Sequence, residues 1–264
     1  MPDYPLAMSD LEIARYQLMA DAAMRAEREL WTHAGAAPGA RVADVGCGPG
    51  AVTQRLAQLV LPDGHVHAVD RDREALAVTR ALAAEGDLPV EVSVAPADDT
   101  GLPEHRFDLV MMRHVLAHNG GAEQRIVDHL ATLVRPGGCV YLADSDLTMM
   151  RIRGPVDPAS FELHSRYTEL LLRRGGDLGV GLHLDELLVT AGLKLLDFRG
   201  RIDIVELPSS MHGPAWAARE TLLVEGLATE EELAGWEKAF RRNERRALPR
   251  TLFVPQFTAY ARLP

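Results

Sequence analysis

Hydrophobic positions recur with two different periods along the first 145 residues. Short apolar runs of strand length occur at 41–45, 65–69, 90–94, 107–112 and 139–143. Most of them are separated by segments with apolar residues at helical spacing, which are 51–60, 72–85 and 122–134. Strands that alternate with helices predict right-handed crossovers and a parallel sheet covered on both faces. The pattern therefore predicts an α/β fold with a doubly wound, mostly parallel sheet.

The two ends of the chain depart from this alternation. Residues 9–34 have an apolar face at helical spacing, and Ser9 or Asp10 can cap the helix, so we expect residues 1–38 to form a helical N-terminal cover. Strand-like runs return at 195–205 and 251–261, on either side of a long helical stretch near 215–247. These last two strands are expected to pair antiparallel. Together with the first five they predict a seven-stranded sheet in one domain.

The segment 147–181 interrupts the alternation and is open to two interpretations. It carries Gly154, two prolines, a helix-like run near 159–173 and a glycine-rich run at 175–181. It can be a lid hinged by glycines, or an ordinary crossover with a flexible loop. Before this segment, residues 39–146 are expected to form the cofactor-binding core, and after it residues 182–264 form the C-terminal half of the sheet with a helical insertion.

Composition excludes several classes of function. The 264 residues are 47% hydrophobic and 25% charged, as expected for a globular protein, and the net charge of −10 argues against nucleic acid as a partner. No apolar run is long enough to span a bilayer, and the first residues lack a signal-peptide pattern, so no membrane partner is expected. The two cysteines, Cys47 and Cys139, lie in different contexts, which fits a cytoplasmic protein without disulfides.

The segment Val42–Gly50 carries the most information about function. An apolar strand ends there in a glycine-rich turn, where Gly46 and Gly48 allow a ligand to approach the backbone closely. The pattern Gly46, Gly48, Ala51 formally matches a dinucleotide loop. Pro49, however, lacks the N–H that a pyrophosphate would need, and the carboxylate of Asp44 would repel it. A cationic cofactor without phosphate, such as S-adenosylmethionine, fits both residues better.

Four segments in order resemble class I S-adenosylmethionine-dependent methyltransferases of the small-molecule type, related to the quinone-biosynthesis methyltransferases. Residues 42–50 resemble the first motif of that family, and 67–72 resemble the motif at the end of the second strand. Residues 97–103 with 107–110 resemble the adenine-side loop and the fourth strand, and 133–140 resemble the turn before the fifth strand. The resemblance implies a Rossmann-like fold and S-adenosylmethionine as cofactor.

The resemblance also implies a set of cofactor-binding residues. Asp44 would lie near the ammonium group, Asp70 would accept the ribose hydroxyls, and Arg71 could stack on the adenine. The other residues in the set are Tyr16, Gly46, Cys47, Gly48, Ala97, Asp98 and Arg113. Asp98 would accept the adenine amino group, although another register puts Pro96 there. Asp70 can instead cap the next helix, Tyr16 can be core, and Arg71 and Asp98 can be solvated.

Candidate catalytic residues follow the fourth strand. His114 and His118 have i, i+4 spacing, which predicts one face of a helical turn at the carboxyl end of a strand. Either could deprotonate a hydroxyl acceptor, or simply pack or cap the helix. Position 115 is valine where a metalloprotease motif needs glutamate, so no metal is expected. Cys47 could be a nucleophile, but a packed loop side chain is the favoured interpretation.

We therefore expect an enzyme that transfers a methyl group to a small, largely apolar molecule, by in-line displacement. Met149, Met150, Leu171 and Trp216 are candidates for the wall of the acceptor pocket. Two alternatives remain at this level, an NAD(P)-dependent oxidoreductase and a protein that binds the cofactor without methylating. The sequence leaves the oligomeric state open, with a homodimer as one expectation.

Overall fold

Eight strands form one sheet in the computed structural model, which describes residues 9–154, 157–207, 213–246 and 250–264. The strands are β1 Arg41–Val45, β2 His65–Asp70, β3 Val90–Val94, β4 Phe107–Arg113, β5 Val134–Ser145, β6 Arg151–Arg153, β7 Lys194–Leu207 and β8 Arg250–Arg262. Their order is β3-β2-β1-β4-β5-β8-β6, and β7 also pairs with β8. The predicted α/β fold with a mostly parallel sheet is confirmed.

Nine α-helices are present in the same described ranges. They are α1 Asp10–His33, α2 Ala51–Val60, α3 Arg73–Glu85, α4 Glu123–Leu133, α5 Pro158–Arg173, α6 Leu184–Thr190, α7 Pro214–Ala217, α8 Arg219–Val224 and α9 Glu230–Arg246. Ser9 caps α1 by accepting the N–H of Glu12 at 3.3 Å, as the sequence predicted. None of these helices combines the length and the apolar character that crossing a bilayer requires.

Side chains on successive strand residues point to opposite faces, and this alternation builds two cores. On one face Ala43, Val110 and Leu142 pack with apolar residues of α4 and α6. On the other face Val42 and Met111 pack with residues of α1 and α2. Because both faces of the sheet are apolar and covered by helices, the parallel strands read as continuous hydrophobic runs.

The order of the strands reverses at β1, and this reversal fixes where a ligand can bind. β1 pairs in parallel with β2 on one side and with β4 on the other. After β1 and β2 the chain continues to the strands on one side of β1, and after β4 it continues to the strands on the other side. A crevice therefore opens beyond the carboxyl ends of β1 and β4. The glycine-rich loop 46–50 and His114 both lie at this crevice.

The structure corrects two expectations about secondary structure. The sheet has eight strands rather than seven, because the three-residue strand β6 pairs with β8. The single helix predicted near 215–247 is three helices, α7 to α9. The break before α9 has a physical cause: Gly226 adopts a positive φ of 68°, and Thr229 and Glu232 form a capping box.

The last two long strands pair antiparallel, as predicted, since β7 runs along β8 from Lys194 to Leu207. Helices α5, α7, α8 and α9 form a separate apolar cluster, which we call the helical cap. The segment 147–181 contributes a 3-10 turn, β6 and α5 to this part of the molecule, while residues 155 and 156 lie outside the described residues. The expected lid segment is therefore one part of a larger helical layer.

Candidate active site

A cavity of about 1220 Å³ lies between the carboxyl ends of β1 and β4, helix α1 and the helical cap. It borders every residue in the predicted set of cofactor and catalytic residues, which are Tyr16, Asp44, Gly46, Cys47, Gly48, Asp70, Arg71, Ala97, Asp98, Arg113, His114 and His118. The tertiary structure thus brings together residues that are up to 102 positions apart in the chain (16 to 118). The volume exceeds the roughly 300–1,000 Å³ of a typical small-molecule site, so the cavity has room for a cofactor and a small substrate together.

The backbone donors of the loop 46–50 are all engaged within the protein. The N–H groups of Gly46 and Cys47 donate to the carbonyl of Val69 at 2.7 and 3.1 Å. Gly48 donates to Asp70 Oδ2 at 2.8 Å, and Gly50 donates to the carbonyl of Cys47 at 3.2 Å. Pro49 has no N–H. These five residues therefore offer no free backbone donor to a phosphate group.

Glycine is required at two positions of this loop by geometry. Gly46 has a φ of 77°, and a Cβ there would lie 2.3 Å from Cγ2 of Val115. Gly50 has a φ of 76°, and a Cβ would lie 2.7 Å from Cγ2 of Thr79. Both positions need a left-handed backbone and close contact with a neighbouring element. The glycines thus serve the packing of the loop as well as access to the ligand.

Asp70 is placed at the tip of β2 with two backbone hydrogen bonds. Its Oδ2 accepts from Gly48, and its Oδ1 accepts from Asp72 at 2.9 Å. Burial raises the pKa of the Asp70 carboxyl, against the effect of these two hydrogen bonds. Asp72, and not Asp70, caps α3, because its side chain accepts from Glu74 at 2.9 Å. The capping role that was an alternative for Asp70 is therefore taken by Asp72.

Asp44 is a buried carboxyl at the end of β1. Its side chain is 2% exposed, and its Oδ2 accepts the hydroxyl of Thr53 at 2.6 Å. Burial raises the pKa of Asp44 to about 6, although Thr53 and Arg113 act in the opposite direction and Asp70 adds to the increase. Burying a carboxyl with one hydrogen bond is costly unless a cationic ligand compensates for it.

These observations test which cofactor the pocket fits. Two carboxyls, Asp44 and Asp70, border the same end of the cavity and repel each other. A pyrophosphate would meet two acidic groups and a loop without free donors. A cofactor with an ammonium group, a sulfonium and a ribose diol offers positive charge to one carboxyl and hydroxyl donors to the other. The residues present therefore fit S-adenosylmethionine and do not fit a dinucleotide.

Cys47 borders the cavity but is not a nucleophile in this environment. Burial raises the pKa of its thiol well above the ordinary value, and the nearby carboxyls of Asp44 and Asp70 raise it further. The thiol lies 3.6 Å from the carbonyl of Gly48. Because the thiolate is the reactive form, this thiol is a packed loop side chain.

The loop 97–103, which is expected on the adenine side of the cofactor, is fixed to helix α4 by two side-chain contacts. Arg125 donates to Asp98 Oδ2 at 2.9 Å, so this carboxylate has an ion-pair partner at the edge of the cavity. Thr100 donates its backbone N–H to His129 Nε2 at 3.1 Å, and burial lowers the pKa of that imidazole. Ala97 lies between these anchors and lines the cavity. The sequence did not indicate the roles of Arg125 and His129.

Two further predicted residues border the cofactor end of the cavity from opposite sides. Arg71 is an exposed residue directly after β2. Tyr16 comes from α1, and its ring lies 3.7 Å from where a Cβ on Gly48 would be. The N-terminal helix therefore places an aromatic ring over the glycine-rich loop.

The histidine pair is arranged differently from the sequence prediction. His114 has a φ of 54° and precedes the 3-10 turn Leu116–His118, so the two histidines do not share one face of a helical turn. His114 Nδ1 lies 3.8 Å from Asp144 Oδ1 and 3.5 Å from Ser145 Oγ. Asp144 is 2% exposed and also accepts the N–H of Ala117 at 3.3 Å. His114 and Asp144 thus form an imidazole–carboxylate pair on the cavity wall.

His118 borders the same cavity and, like His114, is half-buried. Burial lowers the pKa of His118, against the effect of Asp144. Within the described part of the chain, no group of three or more His, Cys, Asp or Glu side chains is placed to hold a metal ion. The side chain of His114 is 25% exposed, and its Nδ1 faces the buried carboxylate of Asp144.

Arg113 borders the cavity, but its guanidinium is held by a buried network that the sequence analysis missed. It pairs with Glu27 of α1, which also accepts from Tyr141 Oη at 2.7 Å and from Arg201 at 2.6 Å. Trp31 Nε1 donates to the same carboxylate at 3.1 Å. Burial opposes the ionisation of Glu27, yet Arg113 and Arg201 hold its pKa at about 2. The network ties α1 to β4, β5 and β7.

Several apolar side chains line the far end of the cavity, next to the helical cap. Its walls include Leu163, Tyr167, Trp216, Phe240 and Leu252. Of the four residues expected in the wall of an acceptor pocket, Met150 and Trp216 border the cavity. The other two do not: Leu171 is buried inside the helical cap, and Met149 is 53% exposed on the surface.

Comparison with known proteins agrees with this geometry. A family model described as a methyltransferase domain matches residues 42–138. This range contains the first three motifs and residues 133–138 of the fourth. A ubiquinone biosynthesis O-methyltransferase of Xanthomonas campestris pv. campestris is 31% identical over 175 residues, which is 63% of this chain and 68% of that protein.

Solved structures share the fold at lower identity. An S-adenosylmethionine-dependent methyltransferase from Aquifex aeolicus has a TM-score of 0.55 at 15% identity and covers 97% of this chain and 100% of that chain. The [4+2]-cyclase SpnF has a TM-score of 0.52 at 18% identity and covers 94% and 81% of the two chains. The name of the second protein indicates that this fold also carries other chemistry.

Proposed function

Because the chain belongs to the class I S-adenosylmethionine-dependent methyltransferases, we propose that it methylates a hydroxyl group of a small, largely apolar molecule. One observation carries the choice of a hydroxyl: the pair formed by His114 and Asp144 lies on the wall of the cavity that the glycine-rich loop and the apolar side chains also line. A hydroxyl must lose its proton during methylation, and this pair can take it. The name of the Xanthomonas relative, an O-methyltransferase, supports the same choice.

Each end of the cavity has its own task in this proposal. Asp44 and Asp70 hold the cofactor through its ammonium group and ribose hydroxyls. S-adenosylmethionine supplies a methyl group activated by a positively charged sulfur. The apolar walls formed by Leu163, Trp216 and Phe240 hold the methyl acceptor and exclude water. Holding the two molecules together in line contributes most of the acceleration.

His114 acts as the general base. Its imidazole takes the proton from the acceptor hydroxyl as the oxygen attacks, and the carboxylate of Asp144 stabilises the imidazolium that forms. Asp144 is itself fixed by the backbone N–H groups of Ala117 and Ser145 at 3.3 and 2.9 Å. The positive φ of His114 is an uncommon backbone conformation for this residue type, as found at functional sites.

The second candidate function is binding of the cofactor without methyl transfer. The specific observation in its favour is the fold shared with the cyclase SpnF. If this chain had that second function, it would bind S-adenosylmethionine but release no S-adenosylhomocysteine with any acceptor. An oxidoreductase is disfavoured by the engaged donors of the loop 46–50.

The test uses three matched acceptors with one apolar ring system: naphthol, naphthylamine and naphthalenethiol. We expect release of S-adenosylhomocysteine with naphthol, and a decrease of kcat by about 100-fold in His114→Gln, as for loss of a general base. The thiol is largely ionised at pH 8, so its methylation should depend much less on His114. Exposed His33, at the end of α1, provides the control variant His33→Gln.

Three results would contradict the proposal. If no acceptor yields S-adenosylhomocysteine although calorimetry detects bound S-adenosylmethionine, the protein does not methylate these molecules. If only the amine reacts, the hydroxyl preference is wrong. If His114→Gln retains the full rate with naphthol, another group is the base.

A further inference from the structure

Gln256 borders the cavity from the strand next to β5. It lies on β8, opposite Ser145 of β5 and opposite Arg201 of β7. The residue is 7% exposed and borders the cavity. Ser145 in turn lies 3.5 Å from His114, so Gln256 is one strand away from the imidazole–carboxylate pair.

The Oε1 atom of Gln256 is buried and has no hydrogen-bond partner. Most buried polar side-chain atoms in folded proteins are paired, and an exception calls for an explanation. The two residues paired with Gln256 across the sheet do have polar partners. Ser145 Oγ contacts His114, and Arg201 donates to Glu27 and Asp203 at 2.6 Å each. An apolar side chain of the same length would avoid the cost of the unpaired amide.

We propose that Gln256 is a specificity-determining residue, which binds a hydrogen-bond-donating group of the methyl acceptor other than the atom that is methylated. This inference rests on the proposed function. The unpaired Oε1 is an acceptor, so it selects a donor such as a second hydroxyl or an N–H. A site built around such a contact discriminates strongly against molecules that lack the donor, because the buried amide then stays unpaired.

The register of the sheet limits the distance of this donor from the methylated atom. Paired strands are about 4.8 Å apart, and Gln256 and Ser145 are direct partners. The selected donor therefore lies within a few bonds of the hydroxyl that faces His114. The chemical class is an apolar ring that carries the reactive hydroxyl and a second donor nearby.

The first arm of the test needs no substrate. Gln256→Met replaces the amide by an apolar side chain of similar length, and we expect the melting temperature of the free protein to rise by about 2–4 °C. Gln58→Met, at an exposed position of α2, is the matched control and should shift it by less than about 1 °C. A lower melting temperature for Gln256→Met would overturn the inference, because the amide would then have a stabilising partner.

The second arm measures binding to the complex with S-adenosylhomocysteine, and not turnover. Calorimetry compares naphthol with the vicinal and the meta naphthalenediols. The wild-type protein should bind one diol at least about tenfold more tightly than naphthol, the equivalent of one hydrogen bond. Gln256→Met should reduce this ratio to about threefold or less and leave the affinity for S-adenosylhomocysteine unchanged.

The two proposals fail in different ways. A diol preference that persists in Gln256→Met, or is absent from the wild-type protein, overturns the role of Gln256. Diols that bind selectively through Gln256 but are never methylated contradict the proposed methylation and leave the recognition site standing.

Discussion

The carboxylate of Asp70 accepts the backbone N–H of Gly48 at 2.8 Å, across a separation of 22 residues. The same carboxylate borders the cavity at the position expected for the ribose of the cofactor. One side chain therefore shapes the glycine-rich loop and offers oxygens to the ligand. Loss of this carboxylate should affect cofactor binding in two ways at once.

Asp70→Ala should weaken binding of S-adenosylmethionine by about 100-fold, because it removes hydrogen bonds to a charged group and frees the loop, a loss of about 3 kcal/mol. Isothermal titration calorimetry measures the effect. Asp63→Ala changes an exposed aspartate before β2 and is the control. Equal affinities for the two variants would show that Asp70 does not contact the cofactor.

Asp44 should make the free protein less stable at neutral pH. Its folded pKa of about 6 lies above the unfolded value of 3.8, so the folded state binds more protons, and stability falls as pH rises from about 4 to 6. Asp44→Asn should therefore raise the free energy of unfolding at pH 7.5 by about 2 kcal/mol. It should also weaken binding of S-adenosylmethionine, because the negative charge is lost.

Urea unfolding of the wild-type protein and Asp44→Asn at pH 4 and pH 7.5 checks this sign. The difference between the two proteins should be small at pH 4 and large at pH 7.5. A variant that is less stable at pH 7.5 would mean that the ionised carboxyl is stabilising in the absence of ligand.

Glu27 should contribute to stability in the opposite pH range. Its folded pKa of about 2 lies below the unfolded value of 4.5, so its contribution is complete above pH 4.5 and is lost as pH falls toward 2. Glu27→Gln leaves Arg113 buried with a neutral partner and should cost about 3 kcal/mol at pH 7. Urea unfolding measures this cost, and Glu29→Gln on the exposed side of α1 should cost less than about 0.5 kcal/mol.

Cys47 should react slowly with thiol reagents although it borders the cavity. Burial and two nearby carboxyls raise the pKa of its thiol, and burial also raises the pKa of Cys139. With Ellman's reagent at pH 8, the folded protein should show much slower labelling than the protein in urea, where both cysteines react. Cys47→Ser should retain binding of S-adenosylmethionine. Rapid labelling that Cys47→Ser abolishes would show a thiolate at this position.

Much of the cofactor end could be predicted because its signals are local in sequence. The break from an apolar strand to Gly46 and Gly48, and the acidic residue that ends β2, are each visible within about ten residues. The parallel sheet follows from the alternation of two periods. The predicted residues therefore border one cavity, while their individual contacts with the cofactor stay predictions.

Other features had no local signal. The strand β6 has three residues and forms only by pairing with β8, so no periodicity indicates it. The break before α9 is an exception, because Gly226 and the capping box of Thr229 and Glu232 are visible in the sequence, although the helical spacing on either side predicted one continuous helix. Glu27 lies at i, i+4 from Trp31, which was a weak signal, but its partners Arg113 and Arg201 are distant in the chain.

The sequence by itself determined the fold class and the kind of loop that binds the cofactor, since both depend on periodicity and on residues with special backbone freedom. Only the tertiary structure decided which donors of that loop are engaged, that His114 has Asp144 as its partner, and that Gln256 is buried with an unpaired oxygen. The physical reason is that burial and hydrogen-bond pairing arise between strands that are far apart in the chain. The type of a residue does not indicate which distant residue will lie next to it.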